Sequence, residues 1–196
     1  MTALIAITVY CSSKIEVDPA YHRAAADLGR AIANERWQLV YGGNRIGMMG
    51  TLSDAVREAG GSVIGITPQV FVDHGYGDSL CADLIVVKDI RQRKALLEHH
   101  GAALVALPGG LGTLEEILEV IAGAVLNLHH KPIVLLNIAN FYDPLLEMIQ
   151  KCIDQHFVST RAHDCFHVAD SVDQAMAHLR SKLRPLVADE LTETPG

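Results

Sequence analysis

The sequence lacks the features that would place it in several large classes of protein. No apolar run approaches the ~20 residues that cross a bilayer, although 49% of the 196 residues are hydrophobic. Cysteine is sparse and scattered: Cys11, Cys81, Cys152 and Cys165 form no CxxC pair. They read as reduced, buried thiols of a cytoplasmic protein. The ten histidines include the neighbours His99-His100 and His129-His130, but adjacent side chains on a helix point apart, and no metal site is expected. Positive charge is short as well. Lys and Arg number 16 against 23 Asp and Glu, a net charge of −7. That argues against a nucleic-acid backbone or an anionic membrane as the main partner. The opening residues Met1 to Tyr10 carry no basic segment of the kind that starts a secretory leader, and they read as a first strand. No Gly-Lys-Ser/Thr follows a glycine loop, so Walker-type ATP hydrolysis is not expected.

What the chain does have is glycine in telling places. Leu107-Pro-Gly-Gly-Leu-Gly-Thr-Leu-Glu-Glu116 follows a short apolar run, Ala102 to Leu107, and precedes Leu114, Ile117, Leu118, Ile121 and Val125 at helical spacing. A strand, a glycine turn and a helix start together form the setting in which backbone N–H groups and the helix dipole hold an anion. Gly109, Gly110 and Gly112 let backbone approach a ligand, and Thr113 can cap the helix or donate to a phosphate oxygen. A plain turn needing positive φ would explain one glycine; three with a Thr favour a ligand. On this helix Glu115 and Glu119 fall opposite the apolar stripe, where they would be solvated. Glu116 lies on its flank beside Thr113 and Val120, placed to act on a sugar or water next to the phosphate, with Glu115 as the reserve.

The rest of the chain alternates strand and helix. Ala3 to Tyr10 reads as a buried strand ending in Cys11-Ser12-Ser13, and Asp18-Pro19 starts a helix reaching about Asn34. Trp37 to Tyr41 is a second strand. It runs into another glycine loop, Tyr41-Gly-Gly-Asn-Arg-Ile-Gly-Met-Met-Gly50, whose methionines begin a helical stripe of core type. Ser62 to Thr67 and Leu84 to Val87 are further strands, separated by Pro68 to Ser79, which shows no periodicity and reads as a long functional loop. Asp89 caps a helix in which Ile90, Arg93, Lys94 and Leu97 share one face. Two inward cations need an anion, either a protein carboxylate or a ligand phosphate, and spacing alone favours neither. Pro132 to Asn137 and Phe166 to Ala169 are the last strands, and Asp170 is the expected cap of the final helix. The pattern implies one doubly wound α/β domain over residues 1–184, with a mainly parallel sheet of about seven strands, and a disordered tail over 185–196.

Three motifs in this order resemble one known family. Pro108-Gly-Gly-Leu-Gly-Thr-Leu-Glu-Glu116 fits the PGGxGTxxE signature of the Lonely Guy proteins, cytokinin riboside 5′-monophosphate phosphoribohydrolases whose older members were labelled lysine decarboxylases. Tyr41 to Gly50 is similar to the family's YGGGxxGLMG loop with Asn44 for the third glycine. Ile90-Arg-Gln-Arg-Lys94 is similar to its MHERK segment with Arg91 for the His. The resemblance runs from Ile5 to about Leu179. It implies a Rossmann-like homodimer that hydrolyses the N-glycosidic bond of AMP or an N6-substituted AMP to free base and ribose 5-phosphate, without metal or redox cofactor. It also implies Arg93 and Glu116 as the catalytic pair, and Gly109, Gly110, Gly112 and Thr113 as phosphate ligands. Gly42, Gly43, Met49, Lys94, Pro108 and Glu115 complete the expected substrate-binding set. Two further departures stand out: Cys11-Ser12-Ser13 lacks the glycine expected directly after Cys11, and 68–79, the region that helps form the base pocket in the family, lacks its glutamate-rich pattern. The long apolar stripe from Leu114 to Leu128 adds to the expectation of a dimer. The competing expectation is a non-catalytic nucleotide or cofactor carrier.

Overall fold

Strands covered on both faces must be apolar along their whole length, and the central runs of this chain are. The computed structural model describes residues 4–190, with side chains to Leu183. Its strands are β1 (Ala6–Tyr10), β2 (Gln38–Tyr41), β3 (Ser62–Pro68), β4 (Asp83–Val87), β5 (Ala103–Ala106), β6 (Ile133–Leu136) and β7 (His167–Ala169). Its helices are α1 (Pro19–Asn34), α2 (Gly47–Glu58), α3 (Gln69–Asp73), α4 (Ile90–His100), α5 (Leu111–Val125), α6 (Asp143–Asp154) and α7 (Val172–Glu190). All seven strands join one sheet in the order β4-β3-β2-β1-β5-β6-β7, and every pairing is parallel. This is the doubly wound α/β fold, wholly rather than mainly parallel. No helix among the described residues is long and apolar enough to cross a membrane.

Period-two alternation along the strands divides the apolar residues between two cores. Ile7, Val9, Leu39 and Tyr41 pack with Leu28, Ile32, Leu52 and Leu179 from α1, α2 and α7. Tyr10, Val40 and Leu104 point the other way, onto Leu97, Ile117 and Ile121 from α4 and α5. Asp18 accepts from the Ala20 N–H at 2.7 Å with Pro19 in the first turn, and Asp89 accepts from the Gln92 N–H at 2.9 Å, so both expected caps form.

Several boundaries differ from the sequence reading. Ser171, not Asp170, caps α7: its Oγ accepts from the Gln174 N–H at 3.3 Å, while the Asp170 N–H donates to Gln174 Oε1 at 2.9 Å. Pro68 to Ser79 contains α3, which sequence periodicity cannot reveal because five residues make little more than one turn. His129 and His130 lie in the loop after α5 rather than on a helix. Only Cys11 and Cys81 are buried; Cys152 and Cys165 are partly exposed, and all four are free. On α5 the buried face is Thr113, Glu116, Ile117, Val120, Ile121 and Ala124, so Leu118 turns outward. The last helix continues through Glu190, and the remainder of the stretch expected as a tail lies outside the described residues.

The tightest helix contact, α1 on α2, depends on Gly29. A Cβ there would meet the Leu52 carbonyl oxygen at 2.6 Å and the Ala55 Cβ at 3.0 Å. Ala would gain roughly 1 kcal/mol of helix propensity over Gly, but the backbone of α2 would have to shift. Gly29→Ala should therefore lower stability, by about 1–3 kcal/mol of overpacking strain less that gain, in urea titration. A stabilised variant would show that the two helices do not approach this closely.

Candidate active site

In an open parallel sheet, loops diverge where the strand order reverses, and the carboxyl ends of the strands there frame a crevice. In this chain the reversal lies between β1 and β5. Ser12, Ser13 and Lys14 after β1, Asn44 after β2, and Gly110 to Thr113 opening α5 surround a cavity of about 310 Å³. Arg93, Glu116, Met49, Cys11 and Phe71 complete its lining.

Gly110 is the N-cap of α5, with extended backbone and no side-chain cap bond. The N–H groups of Leu111, Gly112 and Thr113 thus occupy the first turn, where a helix has no carbonyl to offer them. A Cβ at Gly110 or Gly112 would meet open space, so these two backbones face the cavity unobstructed. Thr113 does not cap; it sits in the third helical position, only 4% exposed. A Cβ at Gly109 would strike Thr113 Oγ1 at 2.2 Å, which fixes the turn against that hydroxyl.

Arg93 reaches across from α4. Its Nε donates to the Ile66 carbonyl at 3.0 Å, its Nη2 to the Gly42 carbonyl at 3.1 Å, and its Nη1 lies 3.5 Å from Glu116 Oε1. The Phe71 ring centroid is 6.0 Å from the guanidinium carbon. Both charged partners are more than nine-tenths buried. Burial pushes the Glu116 carboxyl up to about 7, and the Arg93 charge offsets only part of that rise. Burial likewise lowers the Arg93 pKa, with Glu116 opposing the shift. Desolvation thus outweighs attraction for both groups, an arrangement that fold stability alone does not favour. Burial, with Glu116 nearby, also raises the Cys11 thiol well above its ordinary range, so it is no thiolate nucleophile.

A sequence model of the family described as "Possible lysine decarboxylase" matches residues 49–179. The chain is 40% identical over 175 residues to an Arabidopsis thaliana cytokinin riboside 5′-monophosphate phosphoribohydrolase, LOG5, covering 89% of this chain and 77% of that protein. It is also 40% identical over 181 residues to a Rhodococcoides fascians enzyme of the same name, covering 89% of each. The chain belongs to the Lonely Guy phosphoribohydrolase family. Among solved structures, the molybdenum cofactor carrier protein of Chlamydomonas reinhardtii shares the fold with a TM-score of 0.71 and 25% identity, over 93% of this chain and 99% of that one.

The residues expected from the Lonely Guy resemblance separate into three groups. Arg93, Glu116, Met49, Gly110, Gly112 and Thr113 meet at the cavity. Gly42 and Gly109 stand directly behind lining residues: a Cβ at Gly42 would lie 1.9 Å from Arg93 Nη2 and 3.1 Å from Met49 Cε, and one at Gly109 would meet Thr113. Gly43, whose Cβ would meet Leu84, Ile66 and Thr67, and Pro108 are not part of the lining. Lys94 and Glu115 are elsewhere. The Lys94 ammonium, its side chain mostly covered, pairs with Glu115 and with Glu119 at 3.0 Å on the outer side of α5, away from the cavity lining. Its anion is a protein carboxylate, and it lies at the surface rather than inward. Asn44, at the third glycine of the loop motif, needs no positive φ; its Oδ1 accepts from the Ile46 N–H at 2.9 Å and closes the turn.

Sequence reasoning missed Asp78. It is fully buried and accepts from Tyr41 Oη at 2.6 Å, Arg57 Nη1 at 3.1 Å and the Leu80 N–H at 3.0 Å, while its own N–H donates to the Gly43 carbonyl at 2.9 Å. This network fastens the end of the 68–79 stretch to the glycine loop after β2. An aspartate in a glycine-rich loop reads as a turn residue, and nothing local announces partners that far back in the chain. Burial raises the Asp78 carboxyl, but the Tyr41 and Leu80 hydrogen bonds and the Arg57 charge outweigh it and hold it below the usual range. A depressed folded pKa stabilises at pH above the unfolded value, roughly 3.9, and that contribution disappears as the folded value is passed on acidification. Asp78→Asn should therefore cost on the order of 1–3 kcal/mol at neutral pH, and its melting-temperature deficit should narrow in acid. A deficit independent of pH would mean that the charge is not what matters.

Proposed function

We propose that this chain hydrolyses the N-glycosidic bond of a nucleoside 5′-monophosphate, AMP or an N6-substituted AMP, releasing the base and ribose 5-phosphate. The observation that carries this reading is Glu116, a buried carboxyl with its pKa near 7, one turn inside the helix whose open N-terminus faces the same cavity. The 5′-phosphate binds the N–H groups of Leu111, Gly112 and Thr113 and the Thr113 hydroxyl. The ribose then lies beside Glu116. Water adds to C1′, the C1′–N bond breaks with its electron pair leaving on the base, and the departing nitrogen takes up a proton. The carboxylate of Glu116 offsets the oxocarbenium charge or accepts the proton of the attacking water. Arg93, whose Nε and Nη2 are held by backbone carbonyls, positions Glu116 through Nη1. Binding energy from the remote phosphate holds the scissile bond in place.

The base is directed to an adjoining cavity of about 740 Å³ that shares Ser13, Lys14, Asn44 and Phe71 with the first. Ile15, Val17, Ile46 and Tyr76 give this space apolar walls suited to an aromatic base with an apolar N6 group. Two residues of the 68–79 stretch, Phe71 and Tyr76, take part. A carrier, the competing reading, has a relative in the molybdenum cofactor carrier of the same fold, but pure phosphate binding gains nothing from a buried carboxylate.

Chromatography of AMP, isopentenyl-AMP and other monophosphates after incubation with the protein should show free base; nucleotide recovered intact throughout would favour the carrier. Since the carboxylate is the working form, kcat/KM should rise with pH and level off above about 7. Glu116→Gln should remove that limb and lower the rate by on the order of 10² to 10³, with melting temperature and nucleotide binding largely kept. An active Glu116→Gln protein would overturn the assignment.

The reading includes a cytoplasmic homodimer. Leu111, Leu118, Leu126 and Leu128 are 86%, 41%, 67% and 76% exposed along and just beyond α5, an exposed apolar run of the kind that marks a protein interface. Leu111 also lines the first cavity, so a second copy laid on this stripe would form one of its walls. Light scattering at micromolar concentration should give twice the chain mass, and Leu118→Glu should halve it; a monomeric wild type would remove this part.

A further inference from the structure

The opposite end of the sheet holds a second concentration of functional groups that the proposed reaction does not use. The loop ahead of β6, the segment ahead of β7 and the outer half of α7 enclose a pocket of about 420 Å³. In a chain with a net charge of −7, five histidines, two lysines and an arginine line it, with one carboxylate, the exposed Asp164.

Some of this positive charge has a structural purpose. Lys131 Nζ donates to the Glu98 and His99 carbonyls at the end of α4, and a ring nitrogen of His129 meets the Val120 carbonyl at 2.9 Å. Arg161 is held by Asn127 and His163 by Gln150. On the α1 side of α7, Arg180 pairs with Glu35. Those bonds leave His130, His167, His178 and Lys182, whose side chains make no hydrogen bond among the described residues. His167 and His178 are stacked face to face, their centroids 4.0 Å apart and their planes within 2°. His163 and His167 stand four residues apart, but on a 3₁₀ segment and a strand, and no trio of His, Cys, Asp or Glu among the described residues is grouped to hold a metal ion. A metal is thus not what this pocket is built for.

We propose that this pocket is a second ligand site, which takes a multiply charged oxyanion of the phosphate type between Lys182, His130 and the His167–His178 stack. The site is independent of the hydrolase reading. Two stacked imidazoles accept one proton readily and a second only against the charge of the first. Burial, followed by the charges of His167 and Lys182, lowers the pKa of His178, so that ring resists protonation when no anion lies beside it. An anion in the pocket reverses that balance. Binding therefore takes up a proton and strengthens as the pH falls through the histidine range.

The test is NMR of the imidazole signals of the intact protein during titration with inorganic pyrophosphate at constant ionic strength. No histidine lines the cavity at the start of α5, so pyrophosphate entering there does not shift these signals directly. Signals assigned through His167→Gln and His178→Gln should move saturably at about pH 6, with at least about tenfold weaker binding at about pH 8. Lys182→Glu, at an exposed position, should weaken binding about tenfold more at the lower pH. Signals that stay still into the millimolar range, shifts that chloride reproduces, or unchanged binding by Lys182→Glu would overturn the proposal. Loss of base release would not affect it, and failure here would leave the hydrolase reading intact.

Discussion

One guanidinium connects the parts of this molecule that have to meet. Arg93 leaves α4, caps the carbonyl ends of β2 and β3 through Gly42 and Ile66, and presents its remaining edge to Glu116 on α5. A point charge could balance Glu116 but could not bond two carbonyls and face a carboxylate in one plane, so only arginine fits. The geometry ties the two halves of the sheet together across the strand reversal. The same bond to Gly42 excludes a side chain at that glycine, since a Cβ would stand 1.9 Å from Nη2.

The electrostatics of the pair work against the fold. At 3.5 Å, with both groups nearly dry, attraction does not repay desolvation, and Glu116 is left with a pKa of about 7. Lys94, one position along the same helix, shows the ordinary alternative: it turns to Glu115 and Glu119 at the surface, where water makes a carboxylate an inexpensive neighbour. Two adjacent cations thus answer the question of the missing anion differently, according to whether their partner carboxylate is in the core or in solvent.

Much of this was legible because the physics is local. Strand–helix alternation, the Asp18 and Asp89 caps and the glycine loop before α5 each depend on neighbours within a few residues. The flank position of Glu116 followed from helical geometry alone. The misses are of another kind. Leu118 was grouped with the core because it is apolar, whereas the sheet takes the face carrying Thr113, Glu116 and Val120. The short α3 has no buried residue and no side-chain cap to mark it. Asp78 draws its meaning from Tyr41 and Arg57, and the pocket near β7 from residues spread between His129 and Lys182. Contacts that arise only when the chain closes on itself leave no periodic trace in it.

The close fit of Gly42 and Arg93 also bears on how the sequence can drift. While the arginine is present, any side chain at position 42 collides with it. Were the arginine lost first, position 42 would be released and free to accumulate larger residues. Each would then occupy the place where the guanidinium had lain. Restoring Arg93 by itself would introduce a steric conflict rather than recover the site, so the path back would need both changes together. Loss of this arginine is therefore a step hard to reverse one change at a time, and a descendant that took it would be free to keep the fold and the open helix end while abandoning whatever the paired carboxylate does.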